Sequence, residues 1–157
     1  MITIEGVSRA FGTTQAVEGL SLSARPGEIF GMIGPNGAGK TTTIRMIMGI
    51  LAPDRGRVLY NGEPLQGQDT DRIGYLPEER GLYRKVRVAE MLHHLGELKN
   101  TPRRACEAAM DRWLERFDLQ KWKQSKINEL SKGMAQKVQF IGALIHDPEV
   151  IILDEPF

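Results

Sequence analysis

A glycine-rich segment near residue 34 carries the residues that a phosphate-binding loop needs. Gly34–Thr41 reads GPNGAGKT and fits the pattern GxxxxGK[ST]. It follows an apolar segment, Glu28–Ile33, which we predict to be a short buried strand, and it precedes Thr41–Leu51, which we predict to be a helix. A glycine-rich loop between a strand and a helix can wrap its backbone N–H groups around an anion. This order predicts a binding site for a nucleoside triphosphate.

Each residue type in the loop has a chemical role. Gly34, Gly37 and Gly39 allow the backbone to curl, so that successive N–H groups point at the phosphates. Lys40 supplies a positive charge for the β- and γ-phosphates, and the Thr41 hydroxyl is a ligand for Mg²⁺. We therefore expect ATP and Mg²⁺ as cofactors, with the nucleotide held by Gly34, Pro35, Asn36, Gly37, Ala38, Gly39, Lys40, Thr41 and Thr42.

A second segment, Val150–Pro156, ends an apolar run with two carboxylates. Its sequence VIILDEP is typical of a central parallel strand covered on both faces, with the acidic residues at the carboxyl end of the strand. Open α/β sheets bind their ligands at that end. Asp154 can hold Mg²⁺, directly or through water, and Glu155 can polarise the water that attacks the γ-phosphate. We predict that Glu155 and Lys40 are catalytic.

Three further segments complete an order that a known family shares. They are an aromatic residue before the loop (Phe11), Ile73–Pro77 (IGYLP), and Leu130–Met134 (LSKGM), about twenty residues before the Asp-Glu pair. With all five segments present, the chain resembles the ATP-binding subunits of ABC transporters over nearly its whole length. The resemblance implies an α/β fold, in which a P-loop NTPase core carries a small antiparallel β-subdomain and an α-helical subdomain.

The resemblance also implies further contacts and partners. Phe11 would stack on the adenine ring, with Val17 packing nearby. Ser131 and Gly133 would open a helix whose N-terminus binds the ATP of a second ATP-binding subunit, so that a homo- or heterodimer holds two nucleotides head to tail. The other partner would be a transmembrane permease subunit. We expect no nucleic acid partner and a cytoplasmic location, peripheral on the inner face of the cell membrane.

The chain departs from the family pattern at three places. Glu78 replaces the usual Gln after Tyr-Leu-Pro, and we expect its carboxylate to be tolerated as a ligand on the metal side. Lys132 and Met134 replace the Gly and Gln of the LSGGQ signature. The chain also ends at Phe157, directly after Asp-Glu-Pro. We therefore expect a single, incomplete domain over residues 1–157 that lacks its C-terminal part and alone binds ATP with little or no turnover.

The first part of the chain has the pattern of strands. Ile2 and Ile4 alternate with polar residues, which predicts an edge strand. Arg57–Asn61, followed by the Asn61-Gly62 turn, predicts a hairpin, and together these would form the small antiparallel sheet. The core α/β layer would contain Glu28–Leu51, Asp71–Tyr75 and Val150–Asp154.

Residues at approximately 80–130 form the predicted helical subdomain. Apolar residues recur there at helical spacing, first at Val88, Met91, Leu92, Leu95 and Leu98 and then at Met110, Trp113, Leu114 and Phe117. Thr101-Pro102 is a typical start for the second helix. We interpret both stripes as core. The resemblance implies that this subdomain, with the segment at 78–85, docks onto the permease.

Composition restricts the function classes. A net charge of +1 gives no basic surface for nucleic acid, and no apolar run reaches transmembrane length. A single cysteine, Cys106, excludes an internal disulfide and is interpreted as an inert packing residue. Two other functions stay open at this point: a soluble ABC-type ATPase that works on ribosomes or DNA, and an ATP-binding fragment that regulates a transporter without catalysis.

Overall fold

The computed structural model describes residues 1–78 and 81–155. Glu79 and Arg80, in the predicted docking segment, and Pro156 and Phe157, at the end of the second motif, lie outside the described residues. The chain forms two compact units, residues 1–70 and residues 71–157. Among the described residues, no helix is both long enough and apolar enough to cross a membrane.

The chain contains both strands and helices, as expected for an α/β fold. The strands are β1 (Ile2–Phe11), β2 (Thr14–Ala24), β3 (Arg55–Tyr60), β4 (Glu63–Pro64), β5 (Ile73–Leu76) and β6 (Val150–Leu153). The helices are α1 (Lys40–Ile47), α2 (Val88–Glu97), α3 (Arg103–Arg116) and α4 (Lys132–Leu144). Short 3-10 turns lie at Gly67–Arg72, Gln120–Trp122 and Ile127–Glu129.

The first unit contains an antiparallel sheet with the strand order β2-β1-β3-β4. Ile2 and Ile4 are buried on one face, as their alternation predicts, and a bulge with a left-handed Gly6 (φ 57°) brings Val7 to a fully buried position. The prediction of an edge strand is wrong, because β1 pairs with both β2 and β3. Alternation indicates which face of a strand is buried but does not count its neighbours.

The predicted hairpin is present. Asn61 and Gly62 connect β3 to β4 with φ values of 51° and 90°, and two successive positive φ angles match the right-handed twist of paired strands. Tyr60 pairs with Glu63 across this turn. The prediction of a small antiparallel sheet is therefore confirmed.

The predicted buried strand at Glu28–Ile33 does not form. The segment belongs to neither sheet, and the exposed fractions of Ile29 and Ile33 are 103% and 99%. A buried parallel strand needs neighbours that bond its backbone and layers that cover both faces. Within the described residues no strand pairs with this segment, so its apolar composition is not matched by burial.

The helix after the phosphate loop is shorter than predicted. It begins at Lys40 and ends at Ile47, whereas the sequence suggested Thr41–Leu51. Gly49 adopts a left-handed conformation (φ 65°), and the amide of Ile50 bonds back to the Arg45 carbonyl. A glycine in this conformation is a common helix terminator.

Helices α2, α3 and α4 pack around the core of the second unit. The predicted stripes supply part of this core: Val88, Met91, Leu92, Met110 and Leu114 are buried, and Leu95, Trp113 and Phe117 pack against them. Leu98 is an exception, because it follows the last residue of α2 and is 61% exposed. Cys106 is buried in α3, and burial raises the pKa of its thiol, which fits an inert packing role.

Strands β5 and β6 pair in parallel, with Ile73 opposite Val150 and Leu76 opposite Leu153. The prediction that Val150–Leu153 is a central strand covered on both faces is wrong. Its sheet has two strands within the described residues, and Ile151 and Leu153 are 46% and 41% exposed. The segment does form a strand in a parallel sheet, but its apolar run overstates how much of the strand is covered.

Candidate nucleotide-binding site

The phosphate loop has the backbone conformation that an anion cradle requires. Gly37 and Gly39 have φ values of 83° and 85°, in the left-handed region that other residues enter only with strain. The amide of Ala38 donates to the Pro35 carbonyl at 3.1 Å and closes a turn inside the loop. The loop therefore curls tightly immediately before α1.

The N-terminus of α1 carries no side chain of its own to cap it. Gly39 occupies the cap position with no side-chain hydrogen bond, and no acidic residue lies in the first turn. The first N–H groups of a helix have no partner within the helix and carry a partial positive charge. Thr41 and Thr42 lie in this first turn, where the backbone amides of a helix favour an anion.

Lys40 lies across the loop that precedes it. Its ammonium donates to the carbonyl oxygens of Gly34, at 2.8 Å, and Pro35, at 3.1 Å. Both acceptors are neutral, whereas a phosphate oxygen is charged and makes a stronger bond with an ammonium group. The Lys40 ammonium is thus held next to the loop. Exchange of its carbonyl partners for a phosphate oxygen would be energetically favourable.

Thr43 is a further residue of this site that sequence reasoning missed. Its side chain is 1% exposed, and its hydroxyl donates to the Gly39 carbonyl at 2.9 Å. The same carbonyl accepts the Thr43 amide at 2.8 Å. Thr43 therefore anchors the end of the loop to the first turn of α1, and its place in the run Thr41-Thr42-Thr43 is the only signal for it in the sequence.

Strand β2 packs against the phosphate loop at Gly39. A Cβ atom added at Gly39 would overlap the carbonyl oxygen of Ala16 and lie 2.8 Å from Cγ2 of Val17. Val17 itself is 7% exposed. Backbone and side chain of β2 thus touch the loop where only glycine fits, which places Val17 beside the phosphate cradle.

Phe11 ends β1 and exposes part of its ring. Its exposed fraction is 47%, and the guanidinium carbon of Arg9 lies 5.2 Å from the ring centroid. Arg9 in turn pairs across the sheet with Val17. Phe11, Val17 and the loop therefore belong to one connected part of the first unit, which offers an aromatic ring for a base and amides for phosphates.

The acidic residues follow the paired strands of the second unit. Asp154 is 3% exposed, and its amide donates to the Leu76 carbonyl at 2.9 Å, so that it extends the β5–β6 pairing. Glu78 lies two residues beyond β5, and Glu155 lies beyond Asp154 in a left-handed conformation (φ 48°). Parallel strands end at the same edge of their sheet, so these carboxylates share the carboxyl edge.

The carboxylates at this edge are of the type that bind Mg²⁺, which needs fewer protein ligands than a metal coordinated entirely by side chains. Among the described residues no three His, Cys, Asp or Glu side chains form a metal-binding group. Mg²⁺ keeps several waters and takes one or two carboxylates together with the phosphates of its nucleotide. A buried Asp154 at a strand end, without such a cage, suits that mode of binding.

Ser131 begins α4 as its N-cap. Its Oγ accepts a hydrogen bond from the amide of Met134 at 3.3 Å. Lys132 and Met134 occupy the first turn, which contains no acidic residue, and a Cβ added at Gly133 would meet no atom within 4 Å. The first turn of α4 is therefore open at Gly133 and favours an anion.

The predicted site residues divide between the two units. The first unit contains the base and phosphate groups: Phe11, Val17, Gly34, Pro35, Asn36, Gly37, Ala38, Gly39, Lys40, Thr41 and Thr42. The second unit contains the carboxylates and the start of α4: Glu78, Ser131, Gly133, Asp154 and Glu155.

Comparison with known proteins identifies the family of the chain. A model of the ABC transporter family matches residues 17–157. An uncharacterized ABC transporter ATP-binding protein of Bacillus subtilis, YhaQ, is 47% identical over 100% of this chain and 53% of its own length. The lipopolysaccharide export system ATP-binding protein LptB of Haemophilus influenzae is 34% identical over 100% of this chain and 68% of LptB.

The fold is shared as well. A solved structure of the ATP-binding subunit of an ABC transporter superposes with a TM-score of 0.90 at 31% identity, over 100% of this chain and 67% of that one. The chain spans about half the length of curated relatives such as YhaQ. Its five motifs, its family match and its fold agree, and the chain belongs to the ABC transporter family, among the ATP-binding proteins.

Proposed function

We propose that this protein binds and hydrolyses ATP to power the transport of a substrate across a membrane. The observation that carries the proposal is the loop before α1, in which left-handed Gly37 and Gly39 lead into a helix start that no side chain caps. Lys40 is held over this loop by neutral carbonyls and would transfer to the β- and γ-phosphates. Phe11 and Val17 would hold the base.

The carboxylates would supply the chemistry of hydrolysis. Asp154 and the Thr41 hydroxyl would hold Mg²⁺, which neutralises charge on the β- and γ-phosphates when bound, and Glu78 would add a ligand on the metal side. Glu155 would accept a proton from the attacking water and orient it toward the γ-phosphate. Lys40 would stabilise the charge on the γ-phosphate during hydrolysis, and the backbone amides of the loop would position the triphosphate.

The partners follow from the same proposal. A second ATP-binding subunit would place Ser131 and Gly133, at the open start of its α4, against the nucleotide of the first, in a head-to-tail pair. A permease would bind the helical subdomain, residues 80–130, from the cytoplasmic face of the membrane. We expect no nucleic acid partner, since the net charge is +1. A photo-crosslinker at Tyr83, which is 62% exposed, should label a co-expressed permease, and an absence of adduct would count against this docking site.

Lys40→Ala in the full-length protein tests the nucleotide site. We expect it to weaken binding of ATP·Mg²⁺ by about 10- to 100-fold, because a hydrogen bond to a charged group contributes about 1.5–3 kcal/mol. Isothermal titration calorimetry would measure the change. Arg45→Ala is the matched control, because Arg45 is an exposed cation on the same helix and should leave the affinity unaltered. Equal affinities for Lys40→Ala and the unaltered protein would refute the site.

Glu78→Ala tests the metal ligand. Because Glu78 would bind on the metal side, its removal should raise the Mg²⁺ concentration needed for half-maximal ATP binding by a few-fold, while ATP affinity without Mg²⁺ stays the same or improves through lost repulsion. Titrating Mg²⁺ at fixed ATP separates the two effects. An unchanged Mg²⁺ dependence would remove Glu78 from the metal site.

A further inference from the structure

We propose that Arg9 and Asp54 position the Phe11 ring for the nucleotide base, as a preformed platform that sets base affinity without touching the phosphates. This inference rests on the proposed function, in which Phe11 stacks on adenine. Neither Arg9 nor Asp54 belongs to any of the five motifs, and they are 45 residues apart in the chain. All three residues lie in the first unit.

Arg9 is held in place on three sides. One guanidinium nitrogen, Nη1, donates to Asp54 Oδ1 at 2.7 Å and to the Ala52 carbonyl at 3.1 Å. The guanidinium carbon lies 5.2 Å from the centroid of the Phe11 ring, within the range of a cation–π contact. Only 27% of the Arg9 side chain is exposed, so its position is restricted by its surroundings as well as by these bonds.

Asp54 also fixes the backbone next to the ring. Its second oxygen, Oδ2, accepts the amide of Ala10 at 2.8 Å, and its own amide donates to the Ser8 carbonyl at 2.8 Å. One carboxylate therefore binds both the cation beside the ring and the peptide unit that leads into Phe11. The residue stands directly before β3, so it joins the end of β1 to the neighbouring strand.

The consequence is a ring that is ordered before any nucleotide arrives. Phe11 is 47% exposed and precedes the turn between β1 and β2, where an unsupported side chain would sample several rotamers. Arg9 lies against one part of the ring and leaves the exposed part for a base. Ordering a side chain in advance removes a cost that binding would otherwise carry, so losing the support should weaken base binding by about 3- to 10-fold.

A second ion pair in the same sheet serves as a control, because it supports no aromatic ring in the described part of the chain. Arg57 and Glu5 form another ion pair between β3 and β1, at 2.6 Å. The Arg57 side chain is 65% exposed and makes no cation–π contact among the described residues. Exposed pairs of this kind contribute little to stability. The Arg57–Glu5 pair is therefore a matched control for the effect of breaking a surface ion pair.

The test compares two ligands that differ in the base. Dissociation constants of ATP·Mg²⁺ and of inorganic tripolyphosphate·Mg²⁺ would be measured by calorimetry on the full-length protein and its variants. We expect Arg9→Gln and Asp54→Ala to weaken ATP by about 3- to 10-fold and to leave tripolyphosphate unaltered, because only ATP carries a base. Arg9→Lys, which keeps the cation, should recover part of the loss, and Arg57→Gln should change neither constant.

Other outcomes would overturn the inference. An equal loss for both ligands would mean that Arg9 and Asp54 act through the fold, and no loss for either would mean that the ring needs no support. If Arg9→Gln fails to fold, Asp54→Asn carries the same comparison. Phe11→Ala separates this inference from the proposed function: unaltered ATP binding in that variant would remove the stacking role itself. If Arg9 acts only through the Phe11 ring, adding Arg9→Gln to Phe11→Ala should cause no further loss of ATP affinity.

Discussion

Glu155→Gln is expected to bind ATP with nearly unaltered affinity and to hydrolyse it about 10²- to 10⁴-fold more slowly, the range that a positioned general base contributes. Glutamine keeps the size of the side chain and a hydrogen-bond acceptor, but it cannot take a proton from water at neutral pH. Binding should survive because the groups that hold the phosphates, above all Lys40 and the first turn of α1, are unaltered.

Glu155 has an uncommon backbone conformation directly after the buried Asp154. Asp154 is 3% exposed and bonded to the Leu76 carbonyl through its amide, so it is fixed at the end of β6. Glu155 follows with a φ of 48°, in a conformation that residues other than glycine adopt at a cost. Such outliers concentrate at functional sites, where the direction of one side chain matters.

Release of inorganic phosphate under saturating ATP·Mg²⁺ would measure the effect. Glu149→Gln is the control, because Glu149 stands directly before β6, at the opposite end of the strand, in an exposed pair with Arg72 at 3.3 Å. It should retain full turnover. Turnover by Glu155→Gln within a few-fold of the unaltered protein would assign the base to another residue.

The same variant tests the proposed pairing of subunits. If two chains close on ATP and separate after hydrolysis, blocking hydrolysis should make the ATP-bound dimer accumulate. Size-exclusion chromatography of Glu155→Gln with and without ATP·Mg²⁺ would detect it. A further Ser131→Ala change should reduce the dimer, because it removes a hydroxyl at the start of α4. A dimer that is insensitive to ATP would contradict the head-to-tail arrangement.

Features that depend on neighbouring residues could be predicted from the sequence. The turn at Asn61-Gly62 and the Ser131 cap of α4 each depend on residues within a few positions. The curl of the phosphate loop follows from its glycines in the same way. These local rules also predict a helix directly after the loop, although its first residue is Lys40 rather than Thr41.

Features that depend on distant partners could not be predicted. Glu28–Ile33 and Val150–Leu153 are both apolar enough for a covered strand, yet the first has no partner strand among the described residues and the second has one. Burial of a strand is a property of its neighbours, and composition shows only that burial would be favourable. Leu98 differs for a related reason: the spacing fits the stripe, but α2 ends before it at Glu97.

The site shows the same division. The motifs identify the groups that meet the phosphates, because those groups follow one another along the chain. Arg9 and Asp54 are joined only by folding, and no spacing rule connects residues 45 positions apart. Thr43 lies inside the motif, but its burial and its bond to the Gly39 carbonyl follow from the turn of α1. Sequence patterns therefore identify binding groups more readily than the residues that position them.

Two glycines of the loop are expected to respond differently to the same substitution. Gly37→Ala introduces strain alone: the residue has a φ of 83°, and a Cβ there would meet no atom within 4 Å. A left-handed conformation costs an alanine about 1–2 kcal/mol. Gly39→Ala adds a steric overlap to a similar strain, because the new methyl would meet the Ala16 carbonyl and Cγ2 of Val17.

Relief of that overlap requires the loop or strand β2 to move. We therefore expect Gly39→Ala to weaken ATP binding by more than about 100-fold, against about 5- to 30-fold at most for Gly37→Ala, with 1.4 kcal/mol counted as a factor of ten. Calorimetric titration with ATP·Mg²⁺ would measure the affinity, and thermal unfolding of the same samples would measure stability. A loss of affinity without a loss of stability would indicate a displaced loop. If the two variants bind ATP equally well, the contact with β2 does not hold the loop in its binding conformation. If Gly39→Ala binds ATP much more weakly than Gly37→Ala does, the small antiparallel sheet is part of the phosphate site, because its strand β2 determines where the loop can lie.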